Sequence, residues 1–338
     1  NINGAASDFV LSKDNVTAQF IYVDGTQGWR VVFTGSQSGD GLSEKFITAT
    51  GGSISNSGNC RIHTFTGPGT FTVTQVADCS ANNAVAYLVV AGGGGTGRSF
   101  GGGAGAGGFR EGRTNPVTPY TASPLVTTGH TVSAQAYPIT VGAGGAKATP
   151  SGSDNPLQDG SNSVFSSFTS AGGGGGGHYS NTINTPVPNF NRQGHPGGSG
   201  GGGGDGAPEF GSGNTPPVSP PQGNNGGAGA SPGRSGGGGG ATAAGTAGAS
   251  PGNAGTGGAG ATTHITGSPV AYAGGGGGYG NPLGGQPGGT GGGGDGGNPG
   301  QAGTANTGGG AGGTGITPNT DMTGTGGSGI VVIRYKYQ

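Results

Sequence analysis

Glycine returns at every third position through two blocks of this chain. Gly285, Gly288, Gly291, Gly294, Gly297, Gly300 and Gly303 are spaced by three, and Gly309, Gly312 and Gly315 keep the same phase. Gly194, Gly197, Gly200, Gly203 and Gly206 form the other block. This period matches the left-handed threefold helix of polyproline-II type. Such a helix makes no internal hydrogen bonds, so its peptide groups need partners on neighbouring segments. Without side chains, backbones can approach closely enough to supply them, and Cα–H···O contacts add a little. The expected object is a bundle of parallel and antiparallel polyglycine helices with a core of peptide groups. Collagen shares the period, but here the blocks are short, prolines are sparse within them and other segments interrupt throughout.

Composition bears on whether such a bundle folds or stays open. The chain has 92 glycines in 338 residues and only 28% hydrophobic residues, too few for one large conventional core. Ordering so much glycine is the main opposing term, and many interhelical hydrogen bonds must offset it. Disorder is the simple alternative. Against it stand a net charge of only −1 and strand-like apolar segments at both ends of the glycine-rich region. Twelve Lys and Arg against thirteen Asp and Glu leave no basic face for nucleic acid. No apolar run reaches the length of a membrane span, so membrane insertion is not expected. The chain opens on Asn1 without a recognisable signal peptide, and reads as a fragment, a processed product or part of a longer protein.

The expected fold class is mainly β plus polyglycine helices, with almost no α-helix. Residues 1–35 read as a short β-repeat: Asp8–Leu11, Ala18–Val23 and Trp29–Phe33 are strand-like and separated by turn residues. This unit is too small to bury a core alone and should pair with neighbouring chains or a preceding copy. Residues 36–91 hold a strand at Phe46–Thr50, a hairpin between Cys60 and Cys79, and the apolar run Ala84–Val90. Residues 92–329 form the glycine-rich domain with variable loops, and 330–338 a closing strand, the expected partner of Ala84–Val90. Three times a strand-like stretch leads through alanine into a glycine run, at Ala91, Ala171 and Ala273. This is repetition of a supersecondary unit. The hairpin arms could bring the sulfurs of Cys60 and Cys79 together; a disulfide and two free thiols both remain open.

Motifs for chemistry are sparse. Gly103, Gly105 and Gly108 spell G-x-G-x-x-G, but chance supplies that here and no strand–turn–helix surrounds it. Gly201–Gly204 with Asp205, and Gly291–Gly294 with Asp295, look like the calcium-binding nonapeptide but lack tandem copies and its apolar residue. His63, His130, His178, His195 and His264 fall in no metal-binding spacing. No nucleophile elbow and no phosphate loop occur. The expectation is a non-enzyme without cofactor or metal. Recognition is better served by the segments between glycine runs, where rigid aromatics stand beside amides. The candidate binding residues are His178, Tyr179, Asn181, Phe190, Asn191, Arg192, Phe210 and Tyr279. Phe100 and Phe109, beside glycine runs, read instead as caps on the bundle.

Several segments together resemble a family. Ile62–Phe65 with Gly69–Val73, Tyr87–Gly95, Gly107–Arg110 and the ending Gly326–Tyr335 resemble the glycine-rich domain of tailed-bacteriophage tail fibres. Ile2–Asp8, Tyr22–Gly25 and Trp29–Val32 are similar to short β-repeats of fibres from marine and cyanobacterial phages. The glycine-rich region is also similar to tip adhesins of T-even-like phages, in which polyglycine helices form a sandwich and distal loops contact the host receptor. The resemblance implies a virion tail-fibre segment, extracellular, that binds an outer-membrane protein or polysaccharide of a bacterium and assembles with other fibre subunits as a homotrimer. It points to 178–192, 209–222 and 279–283 as receptor loops. This chain departs from those adhesins in carrying a fibre-like repeat at its N-terminal side and in its long, proline-rich loops. A purely structural fibre or decoration protein is the alternative. An ice-binding glycine bundle is the third reading, and a capsule depolymerase a distant fourth.

Overall fold

The computed structural model describes residues 18–26, 28–33, 45–97, 99–147, 158–178, 192–315 and 324–338. Strands dominate the regular structure. The one helical element among these residues is a single 3₁₀ turn, Ser80–Asn83.

Strands β1 (Ala18–Asp24) and β2 (Gly28–Phe33) form an antiparallel hairpin, a two-stranded sheet of its own. Tyr22 faces Trp29 across it, ring centroids 5.4 Å apart. The stretch Asp8–Leu11 lies outside the described residues.

Two larger sheets follow, built from β3 (Thr48–Thr50), β4 (Ser53–Ser57), β5 (Cys60–Phe65), β6 (Gly69–Gln75), β7 (Ala84–Val90), β8 (Phe109–Arg113), β9 (Val126–Thr128), β10 (His130–Thr131), β11 (Ala136–Thr140), β12 (Ser163–Phe165) and β13 (Phe168–Ser170). Two short hairpins, β14 (Ala261–Thr263) with β15 (Val270–Tyr272) and β16 (Tyr279–Gly280) with β17 (Gly284–Gly285), precede the closing strand β18 (Ile330–Lys336). One sheet runs β4-β5-β18-β7-β8-β9, with β10 also paired to β7. The other runs β13-β12-β11-β6-β3. The closing strand pairs with β7 as the apolar patterns indicated, Ile330 opposite Val90 and Arg334 opposite Ala86.

Alternation along β7 and β18 decides what each face meets. Val85, Tyr87, Val89, Val331, Ile333 and Tyr335 face the second sheet and join Phe71, Val73, Tyr137, Ile139 and Phe165 in one core. Ala86, Leu88, Val90, Ile330 and Val332 face the other way. There they meet Ile265 and Tyr272 around the β14–β15 hairpin, and three alanines of the glycine runs, Ala106, Ala241 and Ala273. β7 is therefore buried along its whole length. Its unbroken apolar run, Ala84–Val90, is what burial on both faces requires.

The expected Cys60–Cys79 hairpin does not form. Gly67-Pro68-Gly69 turns the chain from one sheet to the other, so β5 pairs with β4 and β18 while β6 pairs with β3 and β11. The two arms lie in different layers, and both thiols are free, Cys60 buried and Cys79 exposed. The strand-like stretch before Ala171, Phe165–Thr169, is not a single strand but the bend of the β12–β13 hairpin, where Phe165 faces Phe168.

Two buried polar groups fasten the β14–β15 hairpin to the sheet. The Glu111 carboxylate accepts hydrogen bonds from the Ser123 amide at 2.9 Å and the Thr263 hydroxyl at 2.5 Å. The Arg334 guanidinium donates to the Ile265 carbonyl at 3.2 Å. Burial and the Glu111 carboxylate push the nearby Tyr120 hydroxyl well above the usual phenol range. His63, between the sheets, contacts the Gly51 carbonyl at 2.6 Å and the Tyr335 hydroxyl at 3.0 Å, and burial lowers its pKa.

Candidate functional site

Six strands of the two large sheets run straight into or out of glycine segments, so the glycine-rich region extends the sandwich end-on. Its hydrogen bonds repeat every three residues. Gly101, Ala104 and Gly107 donate to Thr314, Ala311 and Gly308; Gly102, Gly105 and Gly108 donate to Gly177, Gly174 and Ala171; Gly103 and Ala106 donate to Gly236 and Gly239. One segment thus bonds three neighbours in rotation, as a threefold helix must. The first two neighbours are antiparallel and the third is parallel, since their acceptor numbers fall or rise along the run. No glycine in 92–97, 101–108, 172–177 or 236–240 has positive φ, in keeping with a left-handed helix. Close approach excludes a side chain: a Cβ on Gly276 would lie 1.9 Å from the Ala311 carbonyl oxygen.

Scattered Asp, Asn and Gln side chains complete this lattice where a neighbouring carbonyl is lacking. Asp159 and Asn162 accept from Gly175 and Gly172 at 2.8 and 2.9 Å, again three residues apart. Asp205 accepts from Gly233 at 2.7 Å and Asp295 from Gly288 at 2.8 Å. The acids that follow the two Gly4 runs are therefore backbone acceptors in the bundle. Among the described residues no group of three or more His, Cys, Asp or Glu could hold a metal ion. The pair His195–Asp159, 3.0 Å apart, shares the carboxylate oxygen already taken by Gly175.

At the end of the bundle away from the sheets, successive helices reverse direction. Phe100, Asp205, Arg234, Tyr279 and Asn281 lie there. Phe100 stacks on Tyr279 with centroids 6.3 Å apart, and its carbonyl accepts from the Asp205 amide at 3.2 Å. Tyr279 is bonded to Ser235 in both directions, its amide donating to the Ser235 hydroxyl at 2.8 Å and its carbonyl accepting from it at 3.0 Å. Arg234 donates to Pro232, Gly252 and Asn281 carbonyls, tying three end turns together. Beside Asp205, a cleft of about 120 Å³ opens between Arg192–Gln193 and Gly206–Glu209. Among the described residues, the turns at this end, its rim, are tied to one another by these contacts.

The sequence-derived candidates divide over this geometry. Arg192 lines the cleft, and its carbonyl accepts from Gly204 at 2.8 Å. Tyr279 forms the aromatic part of the rim, and half-buried His178 ends its glycine run against Gly97 and Gly204. Phe210 is exposed on the flank beside Gly211, whose amide bonds the Gly201 carbonyl. Tyr179, Asn181, Phe190 and Asn191 lie outside the described residues. The proline-rich part of 209–222 is at the opposite end: Asn214 and Thr215 bond Gly198 and Gly197, and Gln222 bonds Phe109 and Ala171 next to the sheets. Its expected place among distal loops is corrected accordingly. Sequence reading missed Arg234, although a cation in Ser231-Pro232-Gly233-Arg234 stands out where charged residues are only 7% of the chain.

The chain matches the glycine-rich domain family over residues 64–336 and belongs to that family. Searches of curated proteins and of solved structures returned no match. Among the described residues no helix is long and apolar enough to cross a membrane.

Proposed function

We propose that this chain is the distal segment of a tailed-phage tail fibre and attaches the virion non-covalently to a bacterial surface receptor, an outer-membrane protein or a polysaccharide. The observation that carries the reading is the gathering of turns at one end of a scaffold fixed by backbone hydrogen bonds, with Tyr279, Phe100 and the Arg192 cleft side by side. Turns held this firmly lose little entropy on binding, and aromatic and amide side chains supply adaptable contact area. Assembly as a homotrimer with other fibre subunits would present three such ends and raise avidity without new contacts. In this role the protein is an extracellular virion component and binds without chemical conversion.

The test is a pull-down of the fluorescently labelled chain against a panel of bacterial cells, beside a variant with 178–192 replaced by a glycine–serine loop. Binding by the parent that competes with phage adsorption and disappears in the variant is expected. Folded, assembled parent that binds no cell would instead support a structural fibre segment whose adhesin lies elsewhere.

A further inference from the structure

The β1–β2 hairpin holds five of the eight large hydrophobic residues that are exposed among the described residues: Phe20, Ile21, Tyr22, Val23 and Trp29, each 41–56% exposed. The other three, Ile54, Phe210 and Leu283, stand singly on separate segments. Alternation along the strands puts apolar side chains on both faces of the hairpin. Tyr22 lies opposite Trp29 and Phe20 two residues away from it, so these three aromatics share one face. Ile21 lies on the other. Among the described residues β1 and β2 pair only with each other, so each strand also keeps an outer backbone edge.

A hairpin of two strands is marginal in water without a further packing surface. The five side chains expose apolar surface on the order of 500 Å², at the upper end of what a monomer leaves in one place. A stable interface buries about 800 Å² per partner, a little over half of it apolar. The hairpin thus carries about the apolar content of one partner's share. Elsewhere the described surface offers no matching cluster, whereas a second copy of the chain brings an identical hairpin with its own free edges. The two apolar faces decide the symmetry. A twofold contact would cover one face of each hairpin and leave the other wet. In a closed ring of copies each hairpin gives one face to one neighbour and the other face to the next, so both are covered. Three is the smallest such ring.

We propose that the β1–β2 hairpin is the self-association surface of this chain, the Phe20–Tyr22–Trp29 face of one copy packing on the Ile21 face of the next in a closed ring of three. The inference gives the homotrimer of the proposed function its contact surface and rests on that part of the reading alone. It is tested without bacteria, so its failure and a failure of receptor attachment are told apart.

Trp29 is the only tryptophan of the chain and stands on the surface in question, so it serves as the reporter. The test is sedimentation of the whole chain from about 0.1 to about 100 μM, a range that spans the weaker dissociation constants of interfaces this size, with Trp29 emission read on the same samples. A particle of three chains is expected at the high end, its Trp29 emission shifted to the blue and shielded from iodide. Phe20→Lys and Ile21→Lys, one on each face, should each weaken association at least about tenfold and leave Trp29 open to iodide. Ile54→Lys, equally exposed but on β4, should assemble as the parent does. A monomer at every concentration, a particle of two chains, assembly left intact by either hairpin lysine, or Trp29 quenched equally in the assembled and dissociated chain would overturn the assignment.

Discussion

In the β-sandwich a buried residue contributes its side chain; in the glycine bundle it contributes its peptide group and nothing else. Phe71 is fully buried and touches rings of His63, Phe165 and Tyr335 at centroid distances of 5.1, 6.3 and 6.1 Å. Gly276 is as deeply placed, yet its neighbours are carbonyl oxygens and amides of Ala311 and Ala104. The same chain thus closes two interiors by different chemistry, apolar burial in one and reciprocal hydrogen bonding in the other. The junction is made by the few residues that serve both. Ala106, Ala241 and Ala273 sit in glycine runs but turn their methyls onto Leu88, Val90 and Val332.

Substitutions should separate the two interiors by size and by sign. The largest effect is expected for Phe71→Ala, a loss of about 3–5 kcal/mol in urea denaturation from cavity formation. Gly276→Ala comes next. In an ordinary extended loop this change stabilises by about 0.4–1 kcal/mol through the unfolded state. In the bundle the new methyl meets the Ala311 oxygen, so a loss of about 1–3 kcal/mol is expected. A stabilised Gly276→Ala protein would break the comparison.

How much of this was legible in the sequence follows the same division. The period of three in glycine pointed to the bundle's helix type because it depends only on local spacing, but the 285–303 register is not one helix: a turn at 290–292, where Gly291 and Gly292 have positive φ, breaks it. The apolar runs Ala84–Val90 and Ile330–Ile333 likewise announced a buried pair, since burial on two faces calls for unbroken apolar strands. What stayed hidden was set by distant partners. Nothing near Gly67-Pro68-Gly69 tells whether a turn joins neighbours in one sheet or crosses to another, and the crossing separated Cys60 from Cys79. The rim depends on which helices reverse at which end, which placed Arg192 and Tyr279 together and sent the proline-rich segment to the sheets. Arg334 reaches carbonyls far along the chain and carries no local signature, and the turn residues around Arg234 do not tell that it also reaches Gly252 and Asn281.

Smaller effects sharpen the comparison. Thr263→Val leaves the Glu111 carboxylate one hydrogen bond short where the β14–β15 hairpin meets the sheet. A loss of about 1–3 kcal/mol is expected in denaturant unfolding, confined to the junction in hydrogen-exchange maps. Acidification should discriminate most finely. Burial lowers the pKa of both His63 and His130, which lie in the sandwich, so the folded state binds protons less readily than the unfolded chain. Their contribution is complete above the unfolded value of 6.5 and is lost as pH falls from there toward the lowered folded values. Urea midpoints measured between about pH 7 and about pH 5 should therefore decline, with sandwich amides opening first. Bundle amides opening first on acidification would contradict that assignment.

The most direct measurement is native-state hydrogen exchange of the inner glycine runs. Each amide from Gly102 to Gly108 is bonded to a carbonyl of another segment at 2.8–3.0 Å. If these bonds hold the bundle, Gly103, Gly105, Gly238 and Gly276 should exchange as slowly as Leu88 and Val332 in the central strands, through global unfolding alone. Exchange of those glycines at the rate of an unstructured peptide, with β7 and β18 still protected, would contradict a core built from peptide groups.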